Sequence, residues 1–385
     1  MKTYSKIAAA LFLSLAPCAS PVFAQLAIPS DGSDGALVVN SDTVIDLSQA
    51  VTGNWNDNNA ANAGKGIYDP AKWAVVFKYS SVNISSGTSV TFANHSSRAP
   101  VVWLVSGDVT INGNIILDGH YTSLNYTDTG EPGPGGFRGG TRAMSGFGPG
   151  GGYSGYGYYS NPTYGYGNPQ IVPLIGGSGG NAYNVSEGGA GAILIASSGT
   201  ITINGTVSAR PGYGASSGGA IRLIAGQLTG NGNIYVNASD PGRIRLEATN
   251  APGINLNITG VANPLAFIVS PFPLTIWPAT NAPIVQVTTI SNVNANLTVP
   301  ADPKASLAAG QDDLTLATTN AVTITLQTFN YPTNGTVNVY IKSLSAGQTV
   351  LPASFVSGNN DSAMWQLTTV LPVNHTVIQA RAVPN

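Results

Sequence analysis

Apolar and polar positions alternate in short runs along this chain, and one arrangement of them recurs. In Ala192–Gly212, Ile193-Leu194-Ile195 is an apolar run and Ser197-Ser198-Gly199 interrupts it. Thr200-Ile201-Thr202-Ile203 then alternates, Asn204-Gly205 breaks again, and Thr206-Val207-Ser208 follows. The pattern predicts three short strands with two corners. Asn-Gly between two strands would, alone, read as a hairpin turn. The unit returns, however, at Val101–Gly119 and Ala220–Ala238, aligning Gly107/Gly199/Gly226 and Thr110/Thr202/Thr229. The corner pairs Asn112-Gly113, Asn204-Gly205 and Asn231-Gly232 fall in line as well. Fainter copies lie at Ala74–Phe77 with Ser81–Phe92, and at Arg243–Leu246 with Ile254–Ile258.

The spacing of these copies lies in the range of about 20 to 50 residues found in stacked repeat architectures. One unit cannot bury its own apolar face, whereas stacked units place Ile over Ile and Asn over Asn. The expected fold is all-β, a parallel β-solenoid (β-helix) over residues 25–263, with Leu26–Ile67 as its N-terminal cap. Asn204 is expected in or beside the left-handed region, with its side chain bonded to a neighbouring copy.

Residues 120–191 interrupt the repeat with Gly/Tyr-rich sequence, including Tyr153, Tyr156, Tyr158, Tyr159, Tyr164 and Tyr166. Glycine runs without large apolar residues favour disorder, because burial cannot offset their ordering entropy. The tyrosines and Ile171–Ile175 favour the opposite, an insertion whose extended or polyproline-II-like runs lie along the solenoid. Because the repeat resumes in register at Ala192, the stack is expected to form without residues 131–187. A Pro-rich linker at 264–283 marks a boundary. Residues 284–385 then show strands at the spacing of a small immunoglobulin-like β-sandwich, with Val322–Leu326 and Thr336–Tyr340 read as a hairpin through Pro332-Thr333-Asn334-Gly335.

Composition narrows the setting. Residues 1–24 have a basic start (Lys2, Lys6), an apolar stretch Ile7–Leu15 and a small residue, Ala24, suited to cleavage, which reads as a secretory signal peptide. A lipoprotein reading at Cys18 competes with it, but Pro17 fits poorly there. Cleavage after Ala24 removes the one cysteine, so disulfides and thiol chemistry drop out. Charged residues make up 8%, against about a quarter in ordinary domains. The net charge of −2 gives no basic surface for nucleic acid. No segment after the signal is long and apolar enough to span a bilayer. A surface of Asn, Ser, Thr, Gly and Tyr suits an extracellular protein and leaves self-association open.

Candidate chemistry is sparse. Asp108, Asp118, Glu131, Glu187, Asp240 and Glu247 are scattered, and Asp312-Asp313 lies in the C-terminal part. Carbohydrate-active β-helix enzymes need clustered carboxylates. Arg222, Arg243 and Arg245 fall on one face of successive units and are read as solvent-facing. His95, His120 and His375 lack metal-ligand spacing. The Thr110/Thr202/Thr229 ladder is broken in sequence by the insertion and reads as stacking between copies. No catalytic residue, cofactor or metal ligand is assigned. The tyrosine group stands out, since Tyr offers a flat apolar face with a polar tip, useful against sugar rings or for packing the insertion.

The stretches Asp31–Ser48, Lys72–Ile84, Val101–Gly119 and Gly191–Ala209 resemble a group of uncharacterised secreted bacterial glycine-rich β-solenoid proteins with a β-rich C-terminal domain. The resemblance implies export and fold and carries over no catalytic residue. The expected function is that of a secreted, non-enzymatic structural or adhesive protein contacting polysaccharide or other cell-surface material. The alternative is a carbohydrate-active enzyme or carbohydrate-binding module on the same scaffold.

Overall fold

The computed structural model describes residues 26–57, 63–123, 128–140, 146–148, 170–182, 185–212, 216–238, 241–260, 266–269, 274–292, 295–298, 316, 319–343, 347–373 and 376–383. Residues 1–24, read from the sequence as a signal peptide, lie outside them. Among the described residues the chain is all-β. Its one helical element is the 3-10 turn Leu47–Gln49, capped by Asp46 accepting from Ser48 N.

Strand Ala192–Ile203 sits at the centre of an eleven-stranded sheet. It pairs in parallel with Val101–Val105 and Val109–Ile111 on one side. On the other it pairs with Ala220–Gly230, which pairs in turn with Arg243–Asn250. The registers set the repeat beside itself: Ile193 beside Val101 and Ile221, and Thr202 beside Thr110 and Thr229. A one-residue slip would turn each buried side chain to the opposite face, so the alternation holds this register. A six-stranded parallel sheet runs Asn257–Thr259, Asn233–Tyr235, Thr206–Ser208, Asn114–Ile116, Ser89–Ala93, Thr43–Asp46.

Both faces of the central strands are covered, which explains their continuous apolar runs. One face sets Ile193, Ile195, Trp103, Phe77 and Leu223 into the main core. The other places Val76, Val102, Leu194 and Ile224 in a second cluster, joined by Ile28, Leu174, Leu274, Ile276 and Trp277. Each such buried side chain contributes roughly 1.5–3 kcal/mol of transfer free energy.

Two local expectations change. Ser197-Ser198-Gly199 does not end a strand. The strand continues through it with a bulge between Ser197 and Thr200 in its pairing with Ala220–Gly230. Ser197 Oγ donates to Gly107 O (2.7 Å) and accepts from Gly199 N (3.1 Å), satisfying groups that the bulge frees. The corners are also not left-handed. Positive φ outside glycine occurs, among the described residues, at Trp73, Arg98, Ile171 and Asn330, and neither Asn204 nor Gly205 adopts it. Gly205 is needed for another reason: a side chain there would collide with Gly113 O of the adjacent copy, and at Gly232 with Gly205 O.

The described glycine runs of the insertion are ordered against the parallel strands and against one another, backbone to backbone. Gly133 N donates to Gly189 O (3.0 Å), Gly177 N to Ala190 O (2.7 Å), Gly191 N to Leu117 O (2.7 Å) and Ala192 N to Pro134 O (2.6 Å). Phe137 and Phe147 enter the main core, and Ile171 packs with Ala192 and Ala220. Hydrogen bonds and these few large side chains offset the ordering entropy that composition alone leaves unmatched.

The C-terminal part forms two antiparallel sheets. One orders Ala295–Thr298, Ile284–Asn292, Val322–Phe329, Ser362–Thr369 and Ser354–Gly358. The other orders Gly347–Pro352, Thr336–Ser343 and Thr376–Val383. The expected hairpin is therefore absent: Val322–Phe329 and Thr336–Ser343 belong to different sheets. The turn carries the chain between them, because Ile324, Leu326, Val337 and Val339 bury into one shared cluster. Tyr331, inside that cluster, points its hydroxyl between Thr336 O and Val383 O, at 3.0 and 2.5 Å.

Candidate functional site

Three parallel strands, Asn114–Ile116, Thr206–Ser208 and Asn233–Tyr235, end side by side. The equivalent residues just beyond them are Asp118, Arg210 and Asn237. Parallel register thus brings a carboxylate, a guanidinium and an amide to neighbouring positions, although the first two are far apart in sequence. They line a depression of about 340 Å³ with Gly119, Pro211 and Gly212.

Asp118 is held firmly. It accepts from Ser208 Oγ (2.5 Å), Arg210 N (2.8 Å) and Arg210 Nε (3.3 Å), and Arg210 Nη2 stands 3.2 Å away. Arg210 also lies over the Tyr235 ring, 5.8 Å from its centroid. Arg210 remains half-exposed, so the pair presents fixed donors and acceptors to solvent. A carboxylate so occupied suits orientation of a polar ligand rather than proton transfer.

Rows of uncharged polar side chains run across both sheets. Asn114, Thr206, Asn233 and Asn257 form one row across the six-stranded sheet. Asn257 Nδ2 donates to Asn233 Oδ1 (3.0 Å), and Asn114 Nδ2 to Ser89 Oγ (3.2 Å). On the larger sheet Asn83, Thr110, Thr202 and Thr229 form another row, so the insertion leaves the Thr ladder unbroken in space. At the corner, Asn204 Nδ2 donates to Asn112 Oδ1 (2.9 Å). Such rows repeat at the strand spacing of about 4.8 Å.

Other residues singled out in the sequence have structural partners. Asp108 accepts from Thr200 N (2.7 Å), and Glu131 from Arg98 Nε (2.9 Å) and Asn94 Nδ2 (3.0 Å). His95 stacks on Tyr68 at 4.2 Å and bonds Ser97 Oγ, and burial lowers its pKa. His120 donates its backbone N–H to Glu131 O. Glu187 is fully buried. The solvent-facing reading of the arginines fails at Arg222, which is 3% exposed because segments distant in sequence cover that face. Tyr153, Tyr156, Tyr158, Tyr159, Tyr164, Tyr166, Asp240, Asp312, Asp313 and His375 lie outside the described residues.

The column of Asp118, Arg210 and Asn237 escapes a reading by residue type, since no two of them are alike. Extending the Thr and Asn-Gly alignment by a few residues finds it. Among the described residues no group of His, Cys, Asp or Glu has a metal-binding arrangement, and no helix is long and apolar enough to cross a membrane. The chain matches no family model, no characterised protein and no solved structure.

Proposed function

We propose that this protein is exported after cleavage at Ala24 and serves as a non-enzymatic structural or adhesive element that contacts neutral polysaccharide. In this reading the in-register parallel strands are a β-solenoid, the paired antiparallel sheets are an immunoglobulin-like sandwich, and the solenoid is a rigid platform. The observation that carries the functional part is the depression at Asp118, Arg210 and Asn237. An oriented carboxylate–guanidinium pair and an amide offer donors and acceptors for vicinal hydroxyls. The Asn row of the same sheet and the Thr row of the larger sheet offer more at regular spacing and repel no uncharged chain. Tyr153–Tyr166 would add aromatic contact area.

The test is retention of the full mature chain on immobilised neutral and acidic polysaccharides. Asp118→Ala with Arg210→Ala should weaken retention on the neutral material about tenfold or more, which corresponds to roughly 1.4 kcal/mol. Unchanged retention in the double variant would remove the depression from the reading. Release of reducing sugar from any of these polymers would replace it with the enzyme alternative.

A further inference from the structure

Buried charge gathers at one place away from this surface. Arg222 on strand Ala220–Gly230 has Arg245 as its register partner, and Ile224 has Glu247. The side chains of Arg222, Glu247 and Arg245 are 3%, 2% and 13% exposed. Glu247 accepts from Arg222 Nε (3.3 Å) and Nη2 (3.1 Å), and also from Arg245 Nε. One carboxylate therefore serves two guanidiniums, and one positive charge is left over. Arg222 Nη1 is buried and has no hydrogen-bond partner.

Among the described residues, the surroundings do not supply the missing negative charge. In the same row, the neighbour of Arg222 on its other side is Leu194. Leu194 and Ile224 belong to the apolar cluster that takes in Leu174, Leu274 and Ile276. Arg243, on the adjoining row, adds a further cation and gives Nη2 to Ile175 O (2.9 Å). A guanidinium does not escape by losing its proton, and an uncompensated buried charge is strongly unfavourable. Burial lowers the Arg222 pKa, the neighbouring Arg245 lowers it further, and Glu247 offsets only part of this. Counting only the two guanidiniums that share Glu247, the excess is one, and sulfate would set two negative charges beside that carboxylate.

We propose that Arg222, through Nη1, together with Arg245, holds a small monovalent inorganic anion of the halide class as part of the folded structure. The test is thermal unfolding of the full mature chain in sodium chloride or bromide against sodium gluconate at equal ionic strength. The halides should raise the midpoint by about 2–4 °C, and Arg222→Met should abolish the difference. Arg210→Ala, at the exposed pair, should keep it. Equal midpoints in halide and gluconate for the unmodified chain would overturn the proposal. So would a halide effect that survives in Arg222→Met. Should that variant not fold, chloride-35 line broadening on the unmodified protein decides the matter. Broadening that saturates and is displaced by bromide supports the site, and broadening that never saturates refutes it.

Discussion

Gly205→Ala isolates the force that shapes the corners. Gly205 lacks a positive φ, so the substitution adds no backbone strain of the left-handed kind. It adds one methyl group that would overlap Gly113 O and stand 2.8 Å from the carbonyl carbon and oxygen of Asn112. Ordinary contacts begin near 3.4 Å, so the facing turn must retreat. Retreat stretches Gly205 N to Ile111 O (2.9 Å) and Thr206 N to Gly113 O (3.0 Å). Overpacking costs about 1–3 kcal/mol, and each weakened hydrogen bond about 1 kcal/mol more. The expected loss is therefore about 3–5 kcal/mol, read from urea unfolding with an unchanged m-value. Gly87→Ala is the comparison: Gly87 has φ +78° with nothing within 4 Å of the added methyl. Its loss should come from backbone conformation alone, about 1–2 kcal/mol. A Gly205→Ala loss equal to or below that of Gly87→Ala would refute steric contact between copies as the reason for glycine at these corners.

Phe137→Ala should cost about 3–5 kcal/mol in the same unfolding assay, since Phe137 is buried in the main core with Trp73, their ring centroids 6.2 Å apart. A loss under 1 kcal/mol would mean that the stack stands without this segment. His95 has its pKa lowered by burial, so between the native and unfolded values the unfolded chain binds more protons. Its contribution is therefore full above about pH 6.5 and lost as pH falls below that. His95→Gln should flatten the fall in melting midpoint between pH 7 and 5, and an unaltered slope would show that His95 does not carry it.

What could be read from the sequence was whatever depends on near neighbours and on period. Alternation in Thr200–Ile203 and the repeated Thr and Asn-Gly positions are enough to align Thr110, Thr202 and Thr229, because parallel pairing of like units keeps like positions together. What could not be read depends on chain arriving from elsewhere. Arg222 looks like a surface residue until Leu174 and Leu274 close over the adjoining cluster. Pro332-Thr333-Asn334-Gly335 marks a reversal, but a turn signal does not say whether the next strand pairs with the last or crosses to another sheet. Ser197–Gly199 has the composition of a break, yet pairing with Ala220–Gly230 carries the strand through it as a bulge, while on the other side pairing stops at Ser197 and resumes at Ile201. For the corners, glycine was legible and its cause was not, since the obstructing carbonyl of Gly113 lies on a different copy.

The glycine layer has a consequence in time. Its hydrogen bonds join distant points, Gly133 to Gly189 and Ala190 to Ser217, and its glycines lack side chains that could hold a half-built form together. Each glycine also loses more conformational freedom on ordering than any other residue. Contacts of long sequence separation must close large loops before they return anything. The layer is therefore expected to order after the paired strands, which present Leu117 O, Ala209 O and Val236 O to Gly191, Gly219 and Gly242. Hydrogen exchange at Gly133, Gly177 and Gly191 is accordingly expected to be faster than in strand Ala192–Ile203.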